Sequence, residues 1–248
     1  MAGQDGYEAS TYGDRIAEVY DAAYEGLPTE ETVARLAELA GEGPVLELAI
    51  GTGRIALPLA AHGIDVHGID ASKAMIAKLR EKPGGDRIPV TLGDFADVGV
   101  SGRYSLVFVV FNTFFGLLAQ EDQVRCFRNV AEHLTEDGLF VLEAFVPDVA
   151  RFDRGQRVSV SRVGLGEAWL DVAKHDPVDQ LVSSQHLVVS EQGIRLYPVQ
   201  VRYAWPAELD LMARLANLAL RDRWEGWTRE PFTERSGSHV SVYARAGA

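Results

Sequence analysis

The chain has 248 residues, 47% hydrophobic and 24% charged, and carries a formal net charge of −12. That length suits one large α/β domain or two small ones, and the charge argues against nucleic acid and against an anionic membrane surface as partners. A single cysteine, Cys126, excludes an internal disulfide and a cysteine-rich metal site, and no metal ligand set is expected. The polar, acidic start "MAGQDGYEAS" lacks a signal pattern, and no apolar run approaches transmembrane length, so a soluble, cytoplasmic protein is expected.

Two helical pieces, around 13–24 and 30–41, precede a regular alternation of strands and helices. "PVLELA" reads as a first strand, "IDVHGID" as a second, "RIPVTLGD" as a third, "YSLVFVVF" as a fourth and "LFVLEAF" as a fifth. Helices are expected at 54–62, from an N-cap at Ser72 to about Lys82, and around Val124, Phe127, Val130 and Leu134, where Gly138 marks the end. Cys126 lies in that last helix and is read as a buried structural thiol. Such alternation gives a doubly wound, mostly parallel α/β sheet whose strand ends share one edge, where ligands bind. Glu47, Asp70, Asp94 and Glu143 all fall at such ends.

Residues 151–205 break the pattern. Three β-like stretches follow one another without a helix, and Tyr197, Val199, Val201, Tyr203 and Trp205 alternate with other residues, which predicts an antiparallel β insertion with one covered face. A helix opening at Pro206 and a last strand in "SGSHVSVYARA" then close the chain. The expected division is a helical cap over 1–43, a cofactor-binding domain over 44–150 and 206–248, and the insertion over 151–205, covering the acceptor site.

The loop "GTGRIA" admits two readings. Gly51, Gly53 and Ala56, with Asp70 downstream, fit the pyrophosphate cradle of an NAD(P)-dependent oxidoreductase. Glu47 opposes this, because a carboxylate aimed at the loop suits an ammonium or sulfonium and repels a pyrophosphate. "GDF" at 93–95 supplies a further acid and an aromatic ring suited to a purine. A non-catalytic binding module remains a third reading, since fold alone does not establish activity.

Several motifs in order resemble the class I S-adenosylmethionine-dependent methyltransferases: "VLELAIGTG", "GIDAS", "LGDFAD", "VFVVFNTFFGLL" and "VAEHLTEDGLFVLEAF". The layout is similar to small-molecule enzymes of antibiotic pathways, including those acting on amines and amino sugars. This resemblance implies a Rossmann-like sheet and S-adenosyl-L-methionine as cofactor. It implies that Glu47 lies near the cofactor's amino end, that Ala49, Gly51 and Gly53 allow close approach, and that Asp70 holds the ribose. Ala71, Met75, Asp94 and Phe95 would surround the adenine, and Phe111 would lie near the methionine portion. Ala49 stands where the family has its first glycine, which an extended backbone would tolerate. "TYGDRIAEVYDAAY" resembles the family's tyrosine-bearing closing helix, which makes Tyr12 and Tyr20 candidates at the site.

Methyl transfer needs alignment of a nucleophile and exclusion of water more than a catalytic constellation. Glu143 and His175 are the candidates for proton transfer beside Tyr20, and Trp169 and Tyr203 for lining the acceptor pocket. His186 is read as an ordinary strand residue, and no single histidine is expected to be indispensable. The acceptor is expected to be a small-molecule amine or hydroxyl, and the protein a monomer or homodimer.

Overall fold

The computed structural model describes residues 6–27 and 29–247, so the first five residues of the expected cap, Pro28 and Ala248 lie outside it. Helices α1 (Thr11–Ile16), α2 (Tyr20–Ala23) and α3 (Thr29–Ala40) precede β1 (Val45–Leu48). Then come α4 (Ala56–Ala61), β2 (Val66–Asp70), α5 (Lys73–Arg80), β3 (Val90–Leu92), β4 (Tyr104–Val109), α6 (Gln120–His133) and β5 (Leu134–Phe145). Strands β6 (Gln156–Val163), β7 (Glu167–Asp176), β8 (Leu181–Ser190) and β9 (Gly193–Arg202) follow. The chain ends with α7 (Pro206–Leu215), β10 (Leu218–Trp224) and β11 (Ser238–Arg245).

The main sheet has seven strands in the order β10-β11-β5-β4-β1-β2-β3. β1 to β5 run parallel, whereas β11 is antiparallel to both β5 and β10. Strand order reverses between β1 and β4, and a crevice forms at the carboxyl ends of two such strands. The glycine loop leaves β1 there, and Phe111 leaves β4.

β1 is buried on both faces, as central strands of a parallel sheet are. Leu46 and Leu48 join one core with Phe127, Phe140 and Met212. Val45 joins the opposite core with Val33, Leu36 and Leu59. The Phe127 ring meets Phe140 at 5.1 Å and Tyr243 at 5.5 Å, both nearly edge to face. Truncating such a residue costs about 3–5 kcal/mol. Cys126 is fully buried in this core, and burial pushes its thiol pKa up.

Local signals explain most elements. Ser72 caps α5 by accepting the Met75 N–H at 3.1 Å, and Pro206 occupies the first turn of α7. Two expectations need correction. α6 stops at His133, five residues before Gly138, which lies inside β5. A Cβ at Gly138 would approach the Tyr104 carbonyl and Thr135 nitrogen at 2.9 Å, so this glycine permits close strand contact at an irregular β4–β5 register. The expected helix over 13–24 is divided into α1 and α2, whose Asp14 and Asp21 are drawn to two different loops. β10, in "LALRDRW", was not anticipated as a strand.

The second sheet has the order β6-β7-β8-β9, antiparallel throughout. Register places Trp169, Asp171, His186, Val188 and Tyr197 on one face. That face meets the helices before β1, where Val188 and Tyr197 cluster with Ile16, Ala17 and Met75. No helix among the described residues is long and apolar enough to cross a membrane.

Candidate active site

Glu47 interrupts an otherwise apolar buried strand and is itself only 4% exposed. Its Oε2 is buried without a hydrogen-bond partner among the described residues. Burial raises its pKa well above the ordinary carboxylate range, Arg54 opposes this, and the Asp70 charge adds to it. An acid so placed is stabilised by an incoming cation.

The loop beyond β1 turns through Ala49 (φ 56°), Gly51 (φ 56°) and Gly53 (φ 80°). Ala49 is therefore left-handed, not extended as the sequence reading required, a conformation costing a non-glycine residue about 1–2 kcal/mol. The two glycines differ. A Cβ at Gly51 would meet only the Ala49 carbonyl, at 3.9 Å, and would otherwise enter open space. One at Gly53 would collide with the Leu79 side chain at 2.4 Å. The sequence reading expects a side chain at either position to obstruct a ligand; in the structure it would enter open space at Gly51 but strike the core at Gly53.

Asp70 ends β2 with both oxygens engaged. Oδ2 accepts the Gly51 N–H at 2.7 Å and Oδ1 accepts the Ser72 N–H at 2.8 Å. Burial raises its pKa and those two donors lower it. A carboxylate offers about four acceptor sites, so two remain for a ligand hydroxyl. Met75 is buried, Ala71 partly so. After β3, Asp94 accepts the Ala96 N–H at 2.9 Å, and Phe95 packs against the larger core.

At the tip of β4, Phe111 (φ 58°) and Asn112 (φ 62°) are both left-handed. Three hydrogen bonds to β5 hold this turn. Phe111 N–H donates to Glu143 Oε2 at 2.7 Å, Asn112 N–H to the Glu143 carbonyl at 3.3 Å, and Phe145 N–H to Asn112 Oδ1 at 2.6 Å. Strained residues of this kind concentrate at functional sites, where surrounding contacts hold them.

The helices before β1 are pinned to the same rim. Ser72 Oγ donates to Asp14 and Thr52 Oγ1 to Asp21, each at 2.6 Å, and Lys82 pairs with Asp21 at 2.6 Å. Three aromatic rings gather above the loop. Tyr20 lies 4.8 Å from Tyr24, and Tyr24 lies 5.1 Å from Phe111, edge on. The Arg54 guanidinium sits 5.2 Å from the Phe111 ring centre. Tyr12 and Tyr24 share a hydroxyl contact at 2.7 Å. Burial raises the Tyr20 pKa to about 12, against the lowering effect of Arg54, so its hydroxyl stays protonated near neutrality. Burial also raises Tyr12, and Tyr24 adds to the shift.

On the second sheet, Trp169 packs against the cluster of Ile16, Ala17, Met75, Val188 and Tyr197, as the cap tyrosines do, and donates to Glu167 at 3.0 Å. His175 lies elsewhere along that face. It stacks on Phe152 at 4.7 Å, and its Nε2 contacts the Tyr203 hydroxyl at 2.9 Å. Tyr203 belongs to the larger core. The structure thus brings Glu47, Asp70, Phe111 and Glu143 to the carboxyl ends of β1, β2, β4 and β5, with the Glu47 charge acting on Tyr20 of α2. Arg54 and Tyr24 join them although sequence reasoning passed over both; each stood inside a quoted motif, and only the folded loop reveals its direction.

A family described as "Methyltransferase domain" matches residues 45–138. The cypemycin N-terminal methyltransferase of a Streptomyces species is 30% identical over 204 residues, spanning 81% of this chain and 82% of that protein. The CcbJ methyltransferase of Streptomyces caelestis superposes with a TM-score of 0.91 at 43% identity, covering 97% of this chain and all (100%) of that one. CalS10, an amino pentose methyltransferase of Micromonospora echinaspora solved with S-adenosylmethionine bound, shares the fold with a TM-score of 0.67 at 22% identity, over 90% of this chain and 96% of its own. The chain belongs to the S-adenosylmethionine-dependent methyltransferases.

Proposed function

We propose that this methyltransferase acts on the amine nitrogen of a small natural-product molecule. The observation that carries the reading is the group of three rings, Tyr20, Tyr24 and Phe111, with the charge of the buried Glu47 acting on Tyr20. Aromatic faces attract cations, by about 0.5–2 kcal/mol per contact, and the chain's net charge of −12 favours a cationic acceptor. Two relatives support it by name, one an N-terminal methyltransferase and one an amino pentose methyltransferase.

The residues present fit the cofactor. Glu47, with its unpartnered buried oxygen, would pair with the amino group, and Arg54 beside it with the carboxylate. Asp70 would accept from the ribose hydroxyls, Gly51 leaves room for close approach, and Ala49 and Gly53 shape the turn. Ala71, Met75, Asp94 and Phe95 would border the adenine. When bound, S-adenosylmethionine supplies an activated methyl group and its own leaving group.

The chain's task is then alignment and exclusion of water, which can lower a barrier by about 7–11 kcal/mol. Tyr20, protonated near neutrality, offers a hydrogen-bonding hydroxyl and a π face. Tyr12 supports the ring cluster through Tyr24. Glu143 acts through Phe111, which it holds at the tip of β4. His175 braces the inner face of the second sheet against Phe152. The helices before β1 and residues 151–205 cover the acceptor, while the main sheet holds the cofactor.

Trideuteromethyl-labelled cofactor, offered with acceptors differing only in an amine or a hydroxyl, tests this. Label should appear on nitrogen. Label on oxygen, with the matching amine inert, would reverse the reading.

A further inference from the structure

On the inner face of the second sheet, Asp171 of β7 and His186 of β8 stand directly opposite in register. A carboxylate oxygen of Asp171 contacts His186 Nδ1. An ionised carboxylate there accepts the Nδ1–H, so the neutral imidazole presents an unprotonated Nε2. No hydrogen bond to that Nε2 is found among the described residues. The two side chains are about one-third exposed, at 32% and 31%, although they share a face with the buried Val188 and Tyr197. An oriented acid–histidine pair open to solvent on a covered face is not explained by packing.

The pair shares the sheet face that meets the helices before β1. The Asp171 charge acts on the Tyr24 hydroxyl, and Tyr24 lies edge on to Phe111 at the end of β4. Trp169, two residues before Asp171, packs against the same cluster of Ile16, Ala17, Met75, Val188 and Tyr197 that Tyr12, Tyr20 and Tyr24 pack against.

We propose that His186 is the base that removes the acceptor's proton before methyl transfer, with Asp171 as its positioning residue. The proposal rests on the amine reading. An alkylamine resembling a lysine side chain, with a pKa of about 10.4, is protonated near pH 7 in all but about one molecule in 10³. Its nitrogen then has no lone pair to offer. His186 Nε2 takes the N–H proton, the bonding pair stays on nitrogen, and the resulting imidazolium charge is offset by Asp171. The amine is left neutral and nucleophilic, and the proton passes from His186 to solvent after turnover. His175, braced by Tyr203 and Phe152, has no carboxylate partner among the described contacts and is not placed for this task.

The ionisable groups sharing this face or packed on it are Asp171, Glu167 and His175 of β7, Arg157 of β6, Tyr197 and Arg195 of β9, Arg151 near Asp171, and Tyr12, Tyr20 and Tyr24 from the cap.

The test is kcat/KM against pH for wild type, His186→Gln and His186→Ala with an alkylamine acceptor. At pH 7 the variants should fall by about tenfold to a hundredfold, toward the lower end of what a general base supplies. By pH 9.5 the loss should shrink to about twofold, since bulk solvent then deprotonates the amine. Nitrogen-15 spectra of His186 should show the neutral ring protonated on Nδ1 in wild type and redistributed toward Nε2 in Asp171→Ala. A loss equal at every pH, a pH 7 rate within about twofold of wild type, or a wild-type ring protonated on Nε2 would overturn the proposal. The amine reading is tested separately by the position of the label in wild type.

Discussion

The carboxylate of Glu143 accepts the backbone N–H of Phe111 at 2.7 Å, tying the tip of β5 to two consecutive left-handed residues at the tip of β4. This bond fixes the ring that borders the crevice. A glutamine at 143 still offers an acceptor, whereas alanine leaves the N–H unpaired at a cost of about 1–3 kcal/mol. Glu143→Gln should therefore keep kcat within about tenfold (~1.4 kcal/mol of barrier), and Glu143→Ala should lower Tm and raise the acceptor's KM. A thousandfold loss of kcat in the glutamine variant (about 4 kcal/mol), with cofactor affinity intact, would make Glu143 a proton acceptor.

Glu47 gives a dependence on pH whose sign follows from its raised pKa. The unfolded group releases its proton near the ordinary value of 4.5, whereas the buried group holds it to higher pH. Ligand-free stability is thus fully present below 4.5 and is lost as pH rises through the folded value. Glu47→Gln should leave Tm unchanged near pH 4 and raise it at pH 7 to 8. The same change should weaken S-adenosylmethionine binding by at least about tenfold. A variant equally destabilised at both pH values would contradict the account.

Gly51 and Gly53 should separate binding from folding. Gly51→Ala adds a methyl to open space at φ 56° and should cost stability about 1–2 kcal/mol. Its cofactor affinity should fall at least about tenfold. Gly53→Val drives into Leu79 and should lose far more stability. Calorimetry and thermal melts on both variants check the contrast; unimpaired binding by a folded Gly51→Ala protein would refute the cradle.

Ala49 should be replaceable with profit to stability. Its φ of 56° is one that glycine adopts without steric cost. Ala49→Gly should raise unfolding free energy by about 1 kcal/mol, after allowance for the greater freedom of glycine in the unfolded chain. A lower Tm would show that the Ala49 methyl makes contacts outweighing its strain.

Much of the fold was legible because local chemistry and tertiary context agree. The continuous apolar run of β1, the Ser72 cap and Pro206 each point to the element they form. Gly138 misled because a helix stop and a close strand contact call for the same residue. β10 was missed because "LALRDRW" carries exposed charges, as strands near a sheet edge do. In the site, strand-end acids were readable from topology. The direction of Arg54, the contact of Tyr24 with Phe111 and the pairing of Asp171 with His186 depend on elements 15 or more residues apart, whose register no local pattern fixes.

The central claim is that the glycine loop and its two acids form the S-adenosylmethionine site, and Asp70 tests it most directly. Its carboxylate already accepts two backbone N–H groups and retains acceptor sites for a ribose. A hydrogen bond to a charged group contributes about 1.5–3 kcal/mol. Titration calorimetry with S-adenosylhomocysteine on wild type and on Asp70→Ala, each shown to be folded by circular dichroism, is the measurement. The account expects Kd to rise at least about tenfold in the variant (~1.4 kcal/mol), and unchanged affinity would contradict it.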